Sequence, residues 1–311
     1  SCLHGLGIIS DDHGLWDEAM NFFQKALPIA RELMDENLEY SLLNSIGIIY
    51  YNKKDIEKAL EYFEKSLEIR LELGHHRSAA TVIINMAVLE YEKGNNYKVI
   101  ELNKQALELY EKVGDAEGMS YAFQGMGNAY YALGNFEEAI NYLERSIELT
   151  RQIGDLNTEG YTLYNIANVH IGRVNYIQAL DLLDQALRIF NEVQNDRMKG
   201  YVYSSIGYIY HEENDFLNAI DYLNKSVNLF ESLSMERNVL FPLSNLILAK
   251  IEMGDTLDIE DELKHLELIT DSTNIEDVDP KLIWNRYKIY KFLEDDENCK
   301  QSLEIAHGKV T

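Results

Sequence analysis

Apolar positions recur along the chain at helical spacing, and short polar turns separate the apolar runs. Residues 37–52 carry apolar side chains three or four positions apart, and Lys53-Lys54-Asp55 then interrupts the pattern. Residues 56–73 repeat the spacing, and Gly74 follows, as glycine often does just after a helix; Gly114 and Gly154 recur at the same place. The pattern predicts two amphipathic helices joined by a tight turn, with a glycine ending the second.

The same pair of helices returns every 40 residues. Three columns of mostly small residues mark this period, namely Gly7, Gly47, Ala87, Gly127, Ala167 and Gly207; Ala19, Ala59, Val99, Ala139, Ala179 and Ala219; and Ala26, Ser66, Ala106, Ser146, Ala186 and Ser226. The columns continue through Ile247, Ile259 and Leu266, and then through Tyr287, Cys299 and Ala306. We predict one all-α array over residues 1–311, with eight repeats at about 1–35, 36–75, 76–115, 116–155, 156–195, 196–235, 236–275 and 276–311. The last two repeats are degenerate, as expected of repeats that cap a stack.

The small columns have a packing reason. Where the two helices of a pair cross, only glycine, alanine or serine lets the backbones approach closely, and a larger side chain would overpack the contact. We therefore expect Gly127 on a first helix to face Ala139 on the second helix of the same pair.

The charge of the chain limits its partners. The 311 residues include 53 Asp and Glu against 28 Lys and Arg, a net charge of −25. This balance disfavours nucleic acid and anionic membrane surfaces as partners. No signal-peptide pattern is found, and Cys2 and Cys299 lie at opposite ends, so we expect no disulfide framework and a cytoplasmic location. Because the chain begins at Ser1 inside the first repeat, we expect the natural protein to continue upstream.

The fourth repeat contains the most recognisable motif. It reads Gln124-Gly125-Met126-Gly127-Asn128-Ala129-Tyr130-Tyr131-Ala132-Leu133-Gly134-Asn135-Phe136-Glu137-Glu138-Ala139-Ile140-Asn141-Tyr142-Leu143. This unit resembles the tetratricopeptide repeat, and the resemblance covers essentially the whole chain. The usual unit has about 34 residues, and the longer unit here is similar to the class found in bacterial signalling proteins and animal polarity adaptors. The resemblance implies a right-handed superhelical α-solenoid, whose concave groove is lined by first helices and holds a peptide or protein segment.

The first helices of the central repeats carry the candidate ligand-binding residues. Residues 119–133 contain no charged side chain, whereas acidic residues concentrate on the second helices. Tyrosine and amide side chains offer rigid contact area together with hydrogen-bonding groups for a peptide backbone. The predicted groove residues are Tyr121, Gln124, Asn128, Tyr131, Tyr161, Tyr164, Asn168, Tyr201, Ser204 and Tyr208. The alternative is that the column Tyr121, Tyr161, Tyr201 and Phe241 packs neighbouring helices together.

An asparagine column has two interpretations as well. Its members are Asn85, Asn165, Asn245 and Asn285. In peptide-binding tetratricopeptide proteins an asparagine near this position grips the peptide backbone, and the alternative is a bridge between adjacent helices. Members that hold a C-terminal carboxylate use Lys and Arg on first helices. The equivalent positions here, such as Ser41, Asn44 and Thr81, are uncharged, so we expect no carboxylate clamp.

The sequence contains no catalytic motif, no glycine-rich phosphate loop and no His-Glu-x-x-His pair, and the adjacent His75 and His76 fall between repeats. We predict a non-enzymatic scaffold without cofactor or metal, which binds a protein or peptide as a sensing or docking module of a bacterial signalling protein. Two alternatives stay open. One is a peptide-pheromone receptor that acts on a phosphorylated response regulator, as in the quorum-sensing class with these repeats. The other is a structural adaptor that self-associates through its repeat ends.

Overall fold

The computed structural model describes residues 2–255, 259–272, 280–295, 297–300, 302 and 304–305. Within these ranges the regular structure is α-helical, and no β-strand occurs. The chain forms two compact units, Ser1–Asp155 and Leu156–Thr311.

The first unit consists of four helix pairs. Its helices are α1 (Cys2–Asp12), α2 (Trp16–Glu32), α3 (Glu36–Asn52), α4 (Ile56–Glu72), α5 (His76–Glu92), α6 (Asn96–Val113), α7 (Ala116–Ala132) and α8 (Phe136–Ile153). Each helix packs against the next along the chain, and the first helices α5 and α7 also contact each other. Apolar residues of α4, α5 and α6 form a continuous core, which includes Phe63, Ile83 and Leu102.

The second unit repeats this arrangement. Its helices are α9 (Leu156–Gly172), α10 (Tyr176–Glu192), α11 (Asp196–Glu212), α12 (Phe216–Ser232), α13 (Glu236–Met253), α14 (Ile259–Ser272) and α15 (Pro280–Phe292). The first-type helices contact one another in sequence, α9 with α11, α11 with α13 and α13 with α15. Leu223, Ile247 and Leu266 lie at the centre of a core shared by α12, α13, α14 and α15.

A left-handed backbone residue ends helix after helix at a spacing of 20 residues. The predicted glycine stops are confirmed, because Gly74, Gly114 and Gly154 have φ of +71°, +67° and +72°. Glycine adopts this conformation without the Cβ penalty that other residues incur. Val174, in the turn between the two helices of the fifth pair, has φ of +58°, which is unfavourable for a β-branched side chain.

The small columns lie at the helix crossings, as predicted. A Cβ built on Gly127 would lie 3.2 Å from the backbone oxygen of Ala139, which confirms that the two residues face each other. Serines of the third column stabilise the crossing further. Ser66 Oγ donates to the backbone oxygen of Tyr40 at 2.8 Å, and Ser226 Oγ donates to that of Gly200 at the same distance.

The prediction of an all-α array of helix pairs is thus confirmed by the described residues. The seventh repeat keeps its register, since Ile247, Ile259 and Leu266 are all buried, whereas Tyr287 and Cys299 of the eighth are half-buried. Ala306, the last predicted column residue, lies outside the described residues. None of the described helices is both long enough and apolar enough to cross a membrane.

Candidate functional site

The predicted groove residues fall on three first helices. Spacings of three, four and seven residues place the members of each helix on one side of it. Helix α7 of the first unit carries Tyr121, Gln124, Asn128 and Tyr131; in the second unit, α9 carries Tyr161, Tyr164 and Asn168, and α11 carries Tyr201, Ser204 and Tyr208. Each unit therefore presents its own tyrosine- and amide-bearing face.

In the first unit this face contains a cavity of about 270 Å³, which we call the α5–α7 cavity. Three predicted residues line it, and seven further residues come from α5, α6 and α7. Its lining consists of Ile84, Ala87, Val88, Tyr91, Val99, Asn103, Tyr121, Gln124, Gly125 and Asn128. No charged side chain is among them, so the cavity is an uncharged depression in a strongly acidic protein.

The cavity has an exposed mouth and a buried base. Val88, Tyr91 and Tyr121 are exposed to 46%, 44% and 42%, and they surround the opening. Asn103 on α6 is only 2% exposed and lies at the base. Apolar and aromatic walls with a few polar groups are typical of ligand sites.

Polar contacts orient the α7 side chains around this mouth. The Tyr121 hydroxyl donates to Glu117 Oε1 at 3.3 Å, one helical turn earlier. Gln124 Nε2 donates to Ser146 Oγ on α8 at 3.5 Å. Tyr131, further along α7, lies with its ring centroid 6.0 Å from that of Phe136. Hydrogen bonds and ring packing therefore hold these side chains against their neighbours.

In the second unit the equivalent tyrosines pack against phenylalanine. Tyr161 meets Phe190 edge-on, with ring centroids 5.6 Å apart and planes at 80°. Tyr201 meets Phe230 in the same way at 5.0 Å and 70°. Edge-to-face contacts of this kind stabilise helix packing. Tyr161 and Tyr201 are both half-buried, so packing between helices accounts for much of their role.

Hydrogen bonds link the remaining second-unit candidates to their neighbours. Tyr164 bonds to the side chains of Asn168 and Ser205, and burial raises the pKa of its phenol. Asn238 Nδ2 donates to the hydroxyl of Tyr201. Ser204 is buried, with 6% exposure.

Tyr208 lies between two other side chains of the second unit. Its ring centroid is 6.1 Å from that of Phe241, and Lys281 Nζ lies 5.1 Å from the ring centroid. The predicted α9 and α11 residues therefore share one connected face with helices α13 and α15.

The asparagine column divides in two. Asn85 and Asn165 are half-buried. Asn245 and Asn285 are buried, where Asn245 Nδ2 donates to the backbone oxygen of Phe241 at 2.8 Å and Asn285 Nδ2 donates to Ser244 Oγ at 3.0 Å. The bond from α15 to α13 is the bridge between helices that formed the alternative interpretation.

Sequence reasoning missed most of the cavity wall. Ile84, Val88 and Tyr91 belong to α5, which the predicted set omitted, and Asn103 belongs to a second helix. A signal was present, because Asn103 interrupts an otherwise apolar column at the 40-residue period.

Among the described residues, no group of three or more His, Cys, Asp or Glu side chains could hold a metal ion. His75 instead packs edge-on against Tyr40, with ring centroids 5.8 Å apart.

Two family models, both described as tetratricopeptide repeat, match the chain. One matches residues 38–112, 78–152 and 158–232, and the other matches residues 1–37. No curated protein sequence matches the chain significantly.

Several solved structures share the fold at low sequence identity. A signal transduction ATPase with numerous domains and a tetratricopeptide repeat sensor, from Pyrococcus horikoshii, aligns with a TM-score of 0.68 and 18% identity over 97% of this chain. The chain spans only 45% of that protein. Aspartyl phosphate phosphatase F from Bacillus subtilis aligns with a TM-score of 0.71 and 17% identity, covering 90% of this chain and 72% of that one. A Rap protein complexed with competence and sporulation factor gives 0.67 and 16%, covering 87% and 74%.

Proposed function

Because the chain belongs to the tetratricopeptide repeat family, we propose that it is a non-enzymatic scaffold that binds a peptide segment on its first-helix faces. The observation that carries this proposal is the α5–α7 cavity, an uncharged opening between tyrosine and amide side chains. A peptide backbone needs donors and acceptors, and Gln124 and Asn128 supply both at the rim.

Charge favours this face over the outside of the repeats. Second helices carry exposed carboxylates, among them Glu64, Glu144 and Glu148, which hold a solvent shell that a partner would have to displace. The cavity face carries none, so apolar contact there costs less desolvation. We infer that the partner is neutral or basic, because a net charge of −25 repels acidic segments.

The test is selection of peptides from a random library displayed on phage, with the full chain immobilised. Gln124→Ala with Asn128→Ala should weaken binding of the selected peptides by about tenfold or more, because both rim amides are lost. Glu144→Ala with Glu148→Ala changes the same number of exposed side chains on a second helix and is the matched control. Peptides that bind both double variants equally would contradict the proposal.

A second function is favoured by two of the structural neighbours, an aspartyl phosphate phosphatase and a Rap protein complexed with competence and sporulation factor. The scaffold would then respond to a peptide and act on a phosphorylated regulator, within a bacterial signalling pathway. Incubation with a response regulator phosphorylated on aspartate discriminates between the two. Loss of phosphate faster than spontaneous hydrolysis would favour the second function.

A further inference from the structure

The third helix pair has a polar side chain at a buried position that is apolar in other pairs. One buried second-helix column is apolar in five repeats, at Phe23, Phe63, Leu143, Leu183 and Leu223. The third repeat places Asn103 in this column, and the side chain is still buried. Burying an amide in an apolar core costs free energy, and such local conflicts are expected where a site has a function.

In the other repeats the large side chain fills the space over a small residue of the first helix. A Cβ built on Gly47 would lie 2.7 Å from the Phe63 ring, and one built on Gly127 would lie 2.6 Å from Leu143 Cγ. The ring or the branched chain therefore occupies the gap between the paired helices.

Asn103 is directed elsewhere. A Cβ built on Gly125 of α7 would lie 2.3 Å from Asn103 Oδ1, so the amide lies directly against the backbone of the next pair. The equivalent positions carry a Cβ in six repeats, and glycine recurs in the first repeat alone; they are Gly5, Ser45, Asn85, Asn165, Ser205, Asn245 and Asn285. Asn103 and Gly125 therefore both differ from the usual residue of the repeat, and they lie next to each other.

The consequence is open space. With Asn103 turned toward α7, space remains beside Ala87 and Val99. The α5–α7 cavity is lined there by Ala87, Val99, Asn103 and Gly125. The cavity therefore coincides with an exchange that the sequence makes in one repeat.

The size and chemistry of the cavity restrict its occupant. A cavity of about 150 Å³ holds a benzene ring in a protein core, so 270 Å³ accommodates one aromatic side chain. The uncharged lining excludes an ionised side chain. At the base, the one hydrogen bond of the Asn103 side chain among the described residues runs from Nδ2 to the Val99 backbone oxygen at 2.8 Å. An amide can make further bonds, so the base is able to bind a polar tip.

We propose that the α5–α7 cavity is a specificity pocket that binds a tyrosine side chain of the peptide ligand, with Asn103 bonding to the phenol hydroxyl. The inference rests on the proposed peptide-binding function and adds the class of side chain that the site selects. Tyr91 and Tyr121 at the mouth flank the entering ring, and aromatic pairs add to the free energy of burial.

Three variants of the full chain test the proposal. Asn103→Leu introduces the leucine that other repeats have at this position, as at Leu183. This variant should fold, because Leu183 is buried in a repeat that has alanine in the small first-helix column, Ala167, as the third repeat has Ala87. Asn103→Ala keeps the pocket open but removes the amide. Asn141→Leu makes the same exchange at an exposed position of α8 and is the matched control.

The probes are p-cresol, toluene and the phage-selected peptides, with binding followed by saturation-transfer NMR. The natural chain and Asn141→Leu should bind p-cresol roughly fivefold more tightly than toluene, because one added hydrogen bond has about this effect. Asn103→Leu should bind neither probe and should melt at the same or a higher temperature. Asn103→Ala should bind both probes equally. The selected peptides should contain tyrosine and lose about tenfold or more in affinity for Asn103→Leu.

Several results would overturn the pocket. Equal binding of p-cresol by the natural chain and Asn103→Leu would show that the probe binds outside the α5–α7 cavity. Selected peptides that bind Asn103→Leu unchanged leave the proposed function standing and reject the pocket alone. Absence of peptide binding to every variant rejects the proposed function itself. A dimer that dissociates in Asn103→Leu, seen by analytical ultracentrifugation, would assign the pocket to a second copy of the chain.

Discussion

The tyrosine column has one member in the first unit and two in the second, and the two units bury these side chains to different degrees. In the first unit Tyr121 is 42% exposed and borders a cavity. In the second unit Tyr161 and Tyr201 are half-buried against the rings of Phe190 and Phe230. One repeat pattern therefore produces an open face in one unit and a packed face in the other.

The residue 29 positions further along the chain accounts for this difference. Phe190 and Phe230 follow Tyr161 and Tyr201 at that separation, whereas Thr150 follows Tyr121. Thr150 Oγ1 bonds to the backbone oxygen of Ile147 at 3.0 Å, and threonine has no ring for Tyr121 to pack against. A second-helix residue thus decides whether a first-helix tyrosine is available to a ligand.

The largest expected effect comes from removing a ring of the packed face. Phe190 is fully buried, and Phe190→Ala should lower the free energy of unfolding by about 3–5 kcal/mol. Thr150→Ala, at the equivalent position of the first unit, should cost about 1 kcal/mol. Chemical denaturation of both variants measures the difference, and equal losses would contradict the account of the two faces.

Tyrosine truncations compare the two faces directly. Tyr161→Ala should destabilise by about 1–3 kcal/mol because the contact with Phe190 is lost, while Tyr121→Ala should stay within about 0.5 kcal/mol. Tyr121→Ala should weaken peptide binding although it leaves the free energy of unfolding almost unchanged. A large loss of stability from Tyr121→Ala would show that this side chain is a packing residue in both units.

Substitutions in the turns should change the free energy of unfolding by less, and in opposite directions in the two units. Val174 is 69% exposed and has a left-handed backbone, so Val174→Gly should stabilise by about 1 kcal/mol. Gly134 occupies the equivalent turn of the first unit with φ of +75°, and Gly134→Ala should destabilise by a similar amount, about 1 kcal/mol. Melting temperatures that shift in the same direction for both variants would show that turn strain does not govern these positions.

The smallest effect concerns a contact between consecutive first helices. The Tyr51 hydroxyl donates to Glu92 Oε1 at 2.7 Å, and this bond raises the pKa of Tyr51 from 10.0 to about 12. A raised pKa in the folded state means that the contribution to stability is present below pH 10.0 and is lost as the pH rises through about 12.

Comparison with Tyr51→Phe isolates this contribution. The natural chain should be the more stable of the two below pH 10.0, and its advantage should shrink between there and pH 12. Absorbance of the phenolate follows the titration, and denaturation at each pH follows the stability. His211 bonds to Glu252 at the same repeat position of the second unit, 3.1 Å away, and should be unaffected by the substitution. A pH-independent difference between the two proteins would contradict the assignment.

Much of the fold could be read from particular residues. The small columns predicted the helix crossings, and the contact between Gly127 and Ala139 confirms their register. Glycine at 74, 114 and 154 predicted the helix ends. Ile259 and Leu266 kept the register in a degenerate repeat. Such features are local and periodic, and each repeat contacts mainly its neighbours, so a one-dimensional pattern suffices to predict them.

The candidate site was predicted less completely. Three cavity residues, Tyr121, Gln124 and Asn128, were in the predicted set because they share a first-helix face. The base of the cavity was not, because the direction of the Asn103 side chain depends on Gly125, a residue of another helix pair.

The sequence by itself determined the repeat length, the helix pairs, the crossing points and the uncharged character of the central first helices, since all of these depend on periodicity and composition. Only the tertiary structure decided which tyrosines are packed and which are exposed, and where space remains between helices. The physical reason is that exposure and cavities depend on side chains from three helices at once. Tyr121, Asn103 and Gly125 acquire their roles from the neighbours that the fold brings next to them.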